Sequence, residues 1–414
     1  MKRMILVTVY LASILAAAAL TVYSDELSAP IVATTFKADR GTMGIPRWKG
    51  YMDQANPNHF WMSYANAGST LGNINYTTDG GLTWSSDVIQ VDFYGYLDFH
   101  TSLYGRNGEL FFTWPGRDYV CFRKFNAPAH SEADRDPVHE FSYTSNLFRS
   151  NIMVQDNGRI WVFTRSSDNA AENVKYNYSD DDGETWTNGI AYSTNYDQIR
   201  IGSMPYVNGQ PALVVLYLGN SRGYEYYLWN GTSFERKADA SIYAGNVQMD
   251  RAFTHNVIAG QYMHLIFGYN NDLHHCWKAY NNGTGSWNHE IIESSPNTDG
   301  MDWYPISTVR GNDLYIFYCV WQTADENSSQ VYYRKWSQGS QSWTAAELVS
   351  TGLAGQRNLQ PNTCPTVPMS SDYIPVYWQS GLTTTYDINY CRINLGPSVP
   401  DTVAPAAIMD LRTD

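Results

Sequence analysis

Apolar and polar positions along this chain fall into short paired runs rather than long helical stretches. From Ser150 the sequence reads SNIMVQDNGRIWVFTR, two strand-like runs rich in β-branched and aromatic residues joined by an Asp-Asn-Gly turn. The same unit recurs as HTSLYGRNGELFFTW from His100, GSMPYVNGQPALVVLYLG from Gly202 and THNVIAGQYMHLIFGY from Thr254. It appears again as ISTVRGNDLYIFYCVW from Ile306 and PTVPMSSDYIPVYW from Pro365, with an irregular first copy, WKGYMDQANPNHFWMSY, from Trp48. A third run follows each pair, as in VKYNYSD or QVYYRKW, and a fourth usually opens at an aromatic residue: Trp84, Trp186, Phe234, Trp287 or Trp343.

Seven such modules between Ile31 and Leu395 give a period of roughly 52 residues. Four short strands repeating at that period predict an all-β, seven-bladed β-propeller, in which each blade buries its faces against its neighbours. Six blades is the alternative, because the first module is irregular. The last module lacks a fourth run after DINYCRINL, and the segment Pro30 to Ala38 is expected to supply that strand and close the ring. The propeller is thus expected over 30–396. The tail 397–414, whose DTVAPAAIMDL resembles the opening of a fibronectin type III domain, reads either as a linker and the start of such a domain or as only a tail.

Composition narrows the setting. Lys2 and Arg3 precede an apolar run from Ile5 to Leu20, and Val22 and Ser24 suit a signal-peptidase site, so residues 1–24 read as a secretory signal and the mature chain as secreted, with no membrane span. Charged residues make up only 16% of the chain, whereas Tyr (32) and Trp (14) are abundant, as expected of a secreted β-protein. A net charge of −13 argues against a nucleic-acid partner and requires a local basic site for any anionic ligand. Cys121, Cys276, Cys319, Cys364 and Cys391 are odd in number, so at least one is free or pairs between chains.

Two stretches, YTTDGGLTW (Tyr76 to Trp84) and YSDDDGETW (Tyr178 to Trp186), share one spacing. The matching residues are Thr77, Asp79, Gly81, Thr83 and Trp84, then Ser179, Asp181, Gly183, Thr185 and Trp186. The pattern resembles the Asp-box, or BNR repeat, of the sialidase superfamily, with degenerate copies at YNNGTGSW and WSQGSQSW. Chemically it suits a hairpin turn: a short carboxylate accepts bonds from the turn's own N–H groups, and Gly supplies a backbone angle other residues avoid. The resemblance implies that these boxes are scaffold on the rim away from the site, so Asp79 and Asp181 are not expected to be catalytic. It also implies an Arg-Ile-Pro motif in the first blade, where this chain has Gly44-Ile45-Pro46, and an acid/base Asp before the first box, where YANAGSTLGN has none. Tyr304 is a loose match to the superfamily's catalytic Tyr. The residue set of an exo-sialidase is therefore incomplete.

Another cluster emerges from the repeat itself. Nine residues before the hairpin glycines 158, 209, 260 and 311 stand Arg149, Arg200, Arg251 and Asp302, each 51 apart, with Asp98 one repeat earlier. Equivalent positions at one end of the innermost strands surround the propeller axis. Guanidinium forks there suit carboxylate or sulfate groups; the alternative is an internal ion-pair ring with Asp98, Asp250 and Asp302. His100 enters the same region. Related polysaccharide lyases and glycosidases use His, Tyr and Arg around the axis, and by that resemblance His100 is a candidate proton-abstracting base beside an Arg-neutralised uronate. Five histidines crowd the fifth module, but His274 and His275 should point to opposite strand faces and show no standard metal spacing, so neither a metal nor a cofactor is expected. The expected partner is an extracellular glycan, bound or processed. The enzymatic alternative is a glycoside hydrolase or polysaccharide lyase acting on a uronate- or sialate-containing glycan.

Overall fold

A computed structural model describes residues 26–38, 48–65, 71–85, 89–92, 101–115, 119–126, 139–142, 147–168, 171–194, 200–205, 210–217, 223–243, 254–269, 271–279, 286–294, 303–323, 326–353, 357–381 and 386–395. The chain forms seven antiparallel blades of four strands arranged as a β-propeller. In the third blade Leu147–Val154, Ile160–Asp168, Ala171–Ser179 and Thr187–Thr194 pair in sequence order. The first strands are Gly50–Met52, Ser102–Arg106, Leu147–Val154, Arg200–Pro205, Thr254–Ala259, Ile306–Arg310 and Arg357–Asn362. They pack against one another around the ring and so line the axis.

The hairpin glycines form the first turn of four blades. Gly108, Gly158, Gly260 and Gly311 have φ of 82, 96, 55 and 59°, in the left-handed region that a side chain disfavours. The aromatic residues do the interblade packing. Trp161 stacks within its sheet on Phe163 at 5.8 Å, and meets Trp229 and Phe234 of the fourth blade edge-on at 5.0 and 5.8 Å. Trp48, before the first strand, donates from Nε1 to the carbonyl of Ser307 in the sixth blade at 2.7 Å. Its indole therefore reaches past the seventh blade and helps to fill the centre.

The last blade has three consecutive strands, and the N-terminal segment lies on its open edge. Glu26–Leu27 pairs with Ile393 and Asn394, and Ile31–Ala38 pairs with Tyr386 to Tyr390. Ser28 anchors the junction: its N–H donates to Arg392 O at 2.8 Å, and its hydroxyl accepts from Arg392 N at 2.9 Å.

Fourth strands begin at or beside the expected aromatic in the third to sixth blades, at Thr187, Phe234, Asn288 and Ser342, and do not in the first two. In the first blade the strand is Ile89–Asp92, five residues beyond Trp84, because the turn after Thr77 extends through Trp84. In the second blade it is His139–Ser142, which no aromatic signal marked. The five cysteines are buried thiols, none bonded to another. No helix among the described residues is long and apolar enough to cross a membrane. The expected signal, 1–24, and tail, 397–414, lie outside the described residues.

Candidate functional site at the axial mouth

Each first strand starts at the same end of the ring, so the residue opening it stands at the mouth of the axis. Arg200 is the first residue of its strand, opposite Leu216. Arg149 lies two residues into the neighbouring blade's strand, opposite Arg165 and next to a register shift between Leu147 and Arg149. These positions place two of the repeat-derived arginines on adjacent blades at one end. Arg251, Asp302, Asp98 and His100 lie outside the described residues.

Two further arginines escaped the sequence reading. Arg165 lies three residues before the end of the second strand of the third blade, across from Arg149, and is only 7% exposed. Arg357 opens the first strand of the seventh blade, paired with Gly381. Its Nε donates to Asn327 Oδ1 at 2.6 Å and its Nη1 to Tyr386 Oη at 3.1 Å, fixing the guanidinium at two points. Counting back from a hairpin glycine could not find Arg357, because the seventh blade replaces that short turn by the long PTVPMSSD connection. The position of Arg357 at the start of the strand was the usable signal.

Tyr304 precedes the first strand of the sixth blade and adopts φ of 41°. For a bulky residue this left-handed backbone costs roughly 1–3 kcal/mol, and such outliers concentrate where a side chain must be aimed. Its neighbour Trp303 is buried, and its carbonyl accepts the N–H of Cys319 at 2.8 Å. The Trp303 ring lies 6.1 Å from Tyr318. Tyr318 Oη in turn accepts from Arg334 Nε at 3.1 Å, and Arg334 Nη2 donates to Glu293 at 2.6 Å. Burial pushes the Tyr318 phenol well above its ordinary range. Tyr304 itself is partly buried against the core cluster that contains Trp303 and Tyr318.

The two turns singled out in the sequence have nearly the same geometry. Asp79 Oδ1 accepts from Thr77 Oγ1 (2.7 Å) and Thr83 N (2.9 Å), and Asp79 Oδ2 from Thr83 Oγ1 (2.6 Å). Asp181 repeats this with Ser179 Oγ (2.8 Å), Thr185 N (2.8 Å) and Thr185 Oγ1 (2.5 Å). Gly81 and Gly183 adopt φ of 92 and 98°, and a Cβ on Gly81 would come within 2.1 Å of the Tyr390 ring. Both aspartates are lowered to about 2; at Asp79 burial opposes the shift and the hydrogen bonds outweigh it, and at Asp181 the bonds from Thr185 dominate. Trp84 packs on Tyr390 and Phe60, and Trp186 on Phe122 and Phe141.

The histidines of the fifth blade form two separate pairs. His275 Nδ1 lies 2.9 Å from Glu290 Oε1, and its Nε2 lies 2.9 Å from His264 Nδ1. On the other strand face, His274 Nδ1 lies 2.9 Å from His289 Nε2. Burial, then the neighbouring His275, holds His264 well below its ordinary value. Among the described residues no group of three His, Cys, Asp or Glu side chains could hold a metal ion.

The fold and this mouth define a seven-bladed propeller with arginines at one end of its axis. Neither a protein-family pattern nor a curated protein matches the chain. Similarity appears in the three-dimensional fold. The chain is similar to the polysaccharide lyase Uly1, with a TM-score of 0.58 and 11% identity, over 90% of this chain and 100% of that one. It is also similar to an ulvan lyase of a new polysaccharide lyase family, PL25, with a TM-score of 0.55 and 10% identity, over 86% and 94%. The same lyase bound to -[GlcA(1-4)Rha3S]- gives a TM-score of 0.56 at 10% identity, again over 86% and 94%.

Proposed function

We propose that this chain is a secreted propeller that grips an acidic, uronate-bearing extracellular glycan at the axial mouth. One observation carries the reading: Arg149, Arg200 and Arg357 stand at the leading ends of first strands, the positions that surround the axis. Arg forks bind carboxylate and sulfate through paired charged hydrogen bonds, and in a chain of net charge −13 such a cluster is the local basic site an anion needs. Arg251, by its 51-residue spacing, belongs to the same set. The fold likeness to lyases extends over nearly their whole length, and one of them holds a glucuronate–rhamnose-sulfate repeat. In this reading the turns at Asp79 and Asp181 are scaffold Asp-boxes, residues 1–24 are a signal, and 397–414 lead into a further domain.

A second reading adds catalysis by elimination, and the strained Tyr304 favours it. The arginines neutralise the uronate carboxylate, which lowers the barrier to removing the proton at C5. His100 takes that proton, the electron pair forms the C4–C5 double bond, and the C4–O bond breaks. Tyr304 gives its phenolic proton to the departing oxygen. Hydrolysis of a uronate- or sialate-containing glycan is the alternative chemistry for the same mouth.

The test is a glycan panel of uronate, sulfated, sialylated and neutral oligosaccharides, read for binding and for products. Binding should be restricted at the mouth to acidic members, and Arg200→Ala should weaken it about 10- to 100-fold, with an unchanged melting temperature. Elimination would release the ultraviolet-absorbing unsaturated uronate, hydrolysis only new reducing ends. Acidic glycans that fail to bind, or bind equally to Arg200→Ala, would exclude the axial reading.

A further inference from the structure

The seam between the fifth and sixth blades holds a buried pair of titratable rings that the axial reading does not use. Successive side chains of a strand alternate in facing, so His264 on Tyr262–Tyr269 shares one face with His275 and Trp277 on Asp272–Ala279. That face is turned to the sixth blade. The Trp336 ring meets His264 and His275 edge-on at 4.7 and 6.1 Å, and Trp343 meets His275 edge-on at 5.0 Å. Both imidazoles are fully buried. His275 Nδ1 bonds to Glu290 Oε1, which also accepts from Trp343 Nε1 of the sixth blade at 2.8 Å.

These bonds limit how many protons the pair can hold. His275 Nδ1 must carry a hydrogen, because an ionised carboxylate only accepts. The 2.9 Å contact between His275 Nε2 and His264 Nδ1 is a hydrogen bond only while one of those two nitrogens is bare. The remaining nitrogen, His264 Nε2, is buried and makes no hydrogen bond. The closed seam therefore accommodates at most one positive charge on the pair, which Glu290 offsets. A second would set two imidazolium N–H groups against each other with both rings out of water. Among the described side chains, the other titratable or charged groups on this seam are Tyr262, Glu293, Tyr318, Tyr332 and Arg334. Glu293 and Arg334 pair with each other at 2.6 Å. His274 and His289 lie on the opposite strand face, with Asp272, Cys276 and Lys278, and Lys278 Nζ donates there to Tyr226 of the fourth blade.

We propose that the His264–His275 pair is a proton-operated latch between the fifth and sixth blades, closed while the pair shares the hydrogen of its N–N bond and forced open when a second charge enters. Opening takes one proton from solvent onto the bare nitrogen, breaks the contact between the rings and lets water reach both. Burial lowers the pKa of both rings below the ordinary 6.5, helped at His264 by the neighbouring His275. A lowered folded-state value gives a contribution to stability that is complete above 6.5 and is lost as pH falls below it. Weak acid is thus the signal, as suits histidine. The latch is independent of what binds at the mouth.

The test is hydrogen exchange of the full chain, followed by mass spectrometry at about pH 7.5 and about pH 5 and expressed as protection relative to the unstructured rate. Peptides covering 262–279 should lose protection about tenfold or more at the lower pH, while those covering 160–179 in the third blade should keep theirs. His264→Gln and His264→Phe replace the ring by groups that take no charge. In either, whatever its overall stability, the extra loss in acid should largely disappear. His289→Ala, at an exposed position on the other face, should retain it. Equal protection at both pH values in the unaltered chain would overturn the latch, and that result needs no variant to fold. So would an acid response that the third blade shares equally, that persists undiminished in the His264 variants, or that His289→Ala abolishes.

Discussion

Asp79 and Asp181 show what one carboxylate can do for a turn. Each collects two side-chain hydroxyls and one backbone N–H, and the ionised form is favoured so strongly that it persists to about pH 2. A folded-state value below the ordinary 3.8 means that the contribution to stability is complete above that pH. It is lost as pH falls from 3.8 towards 2. Asp79→Asn should therefore lower the melting temperature by about 2 °C at pH 7, and the gap to the unaltered protein should close as pH approaches 2. A constant gap across that range in thermal melts would show that the carboxylate charge is not what the turn uses. The residue types and spacing of these turns were legible in the sequence because a hairpin turn is a local object. Arg165 was not, because its significance comes from pairing with Arg149, which only strand register creates.

Blade boundaries were legible where the first hairpin is short and carries a glycine at positive φ, as at Gly158 and Gly311. They were blurred where the connection is long. The seventh blade hides Arg357 behind such a connection, and the second hides its outer strand behind the residues between Asn126 and His139. The edge of the last blade belongs to the segment 26–38. Its partner strand carries buried Tyr386, Ile388 and Tyr390, and an uncovered edge exposes unpaired N–H and C=O groups. Deleting 31–37 should lower the melting temperature by roughly 10 °C or more, or leave the chain insoluble, since several kcal/mol of packing and pairing are removed together. Truncation after Pro397 provides the matched control and should melt with the full chain. Equal melting of the 31–37 deletion and the full chain would show that the edge needs no cover.

Across the whole molecule, a net charge of −13 and arginines near the leading ends of three first strands set opposite electrostatic terms for an anionic glycan. The repeat made the ring and the positions of Arg149 and Arg200 readable in advance, because equal spacing in the sequence becomes equal angle around an axis. How the guanidinium groups are held was not readable, as Arg357 shows: its partners Asn327 and Tyr386 come from two different blades. The two terms differ in their response to salt, and that difference decides the central claim. Screening removes the repulsion by the whole protein and the attraction of the mouth alike, but an anion seated on Arg forks loses more than it gains. The decisive measurement is the affinity of a glucuronate-containing oligosaccharide between about 0.02 and 0.5 M salt, for the full chain and for Arg149→Ala/Arg200→Ala. Affinity that falls severalfold with salt in the full chain, and no longer falls in the double variant, is the predicted result. Affinity that is flat or rises with salt in the full chain would contradict the axial site.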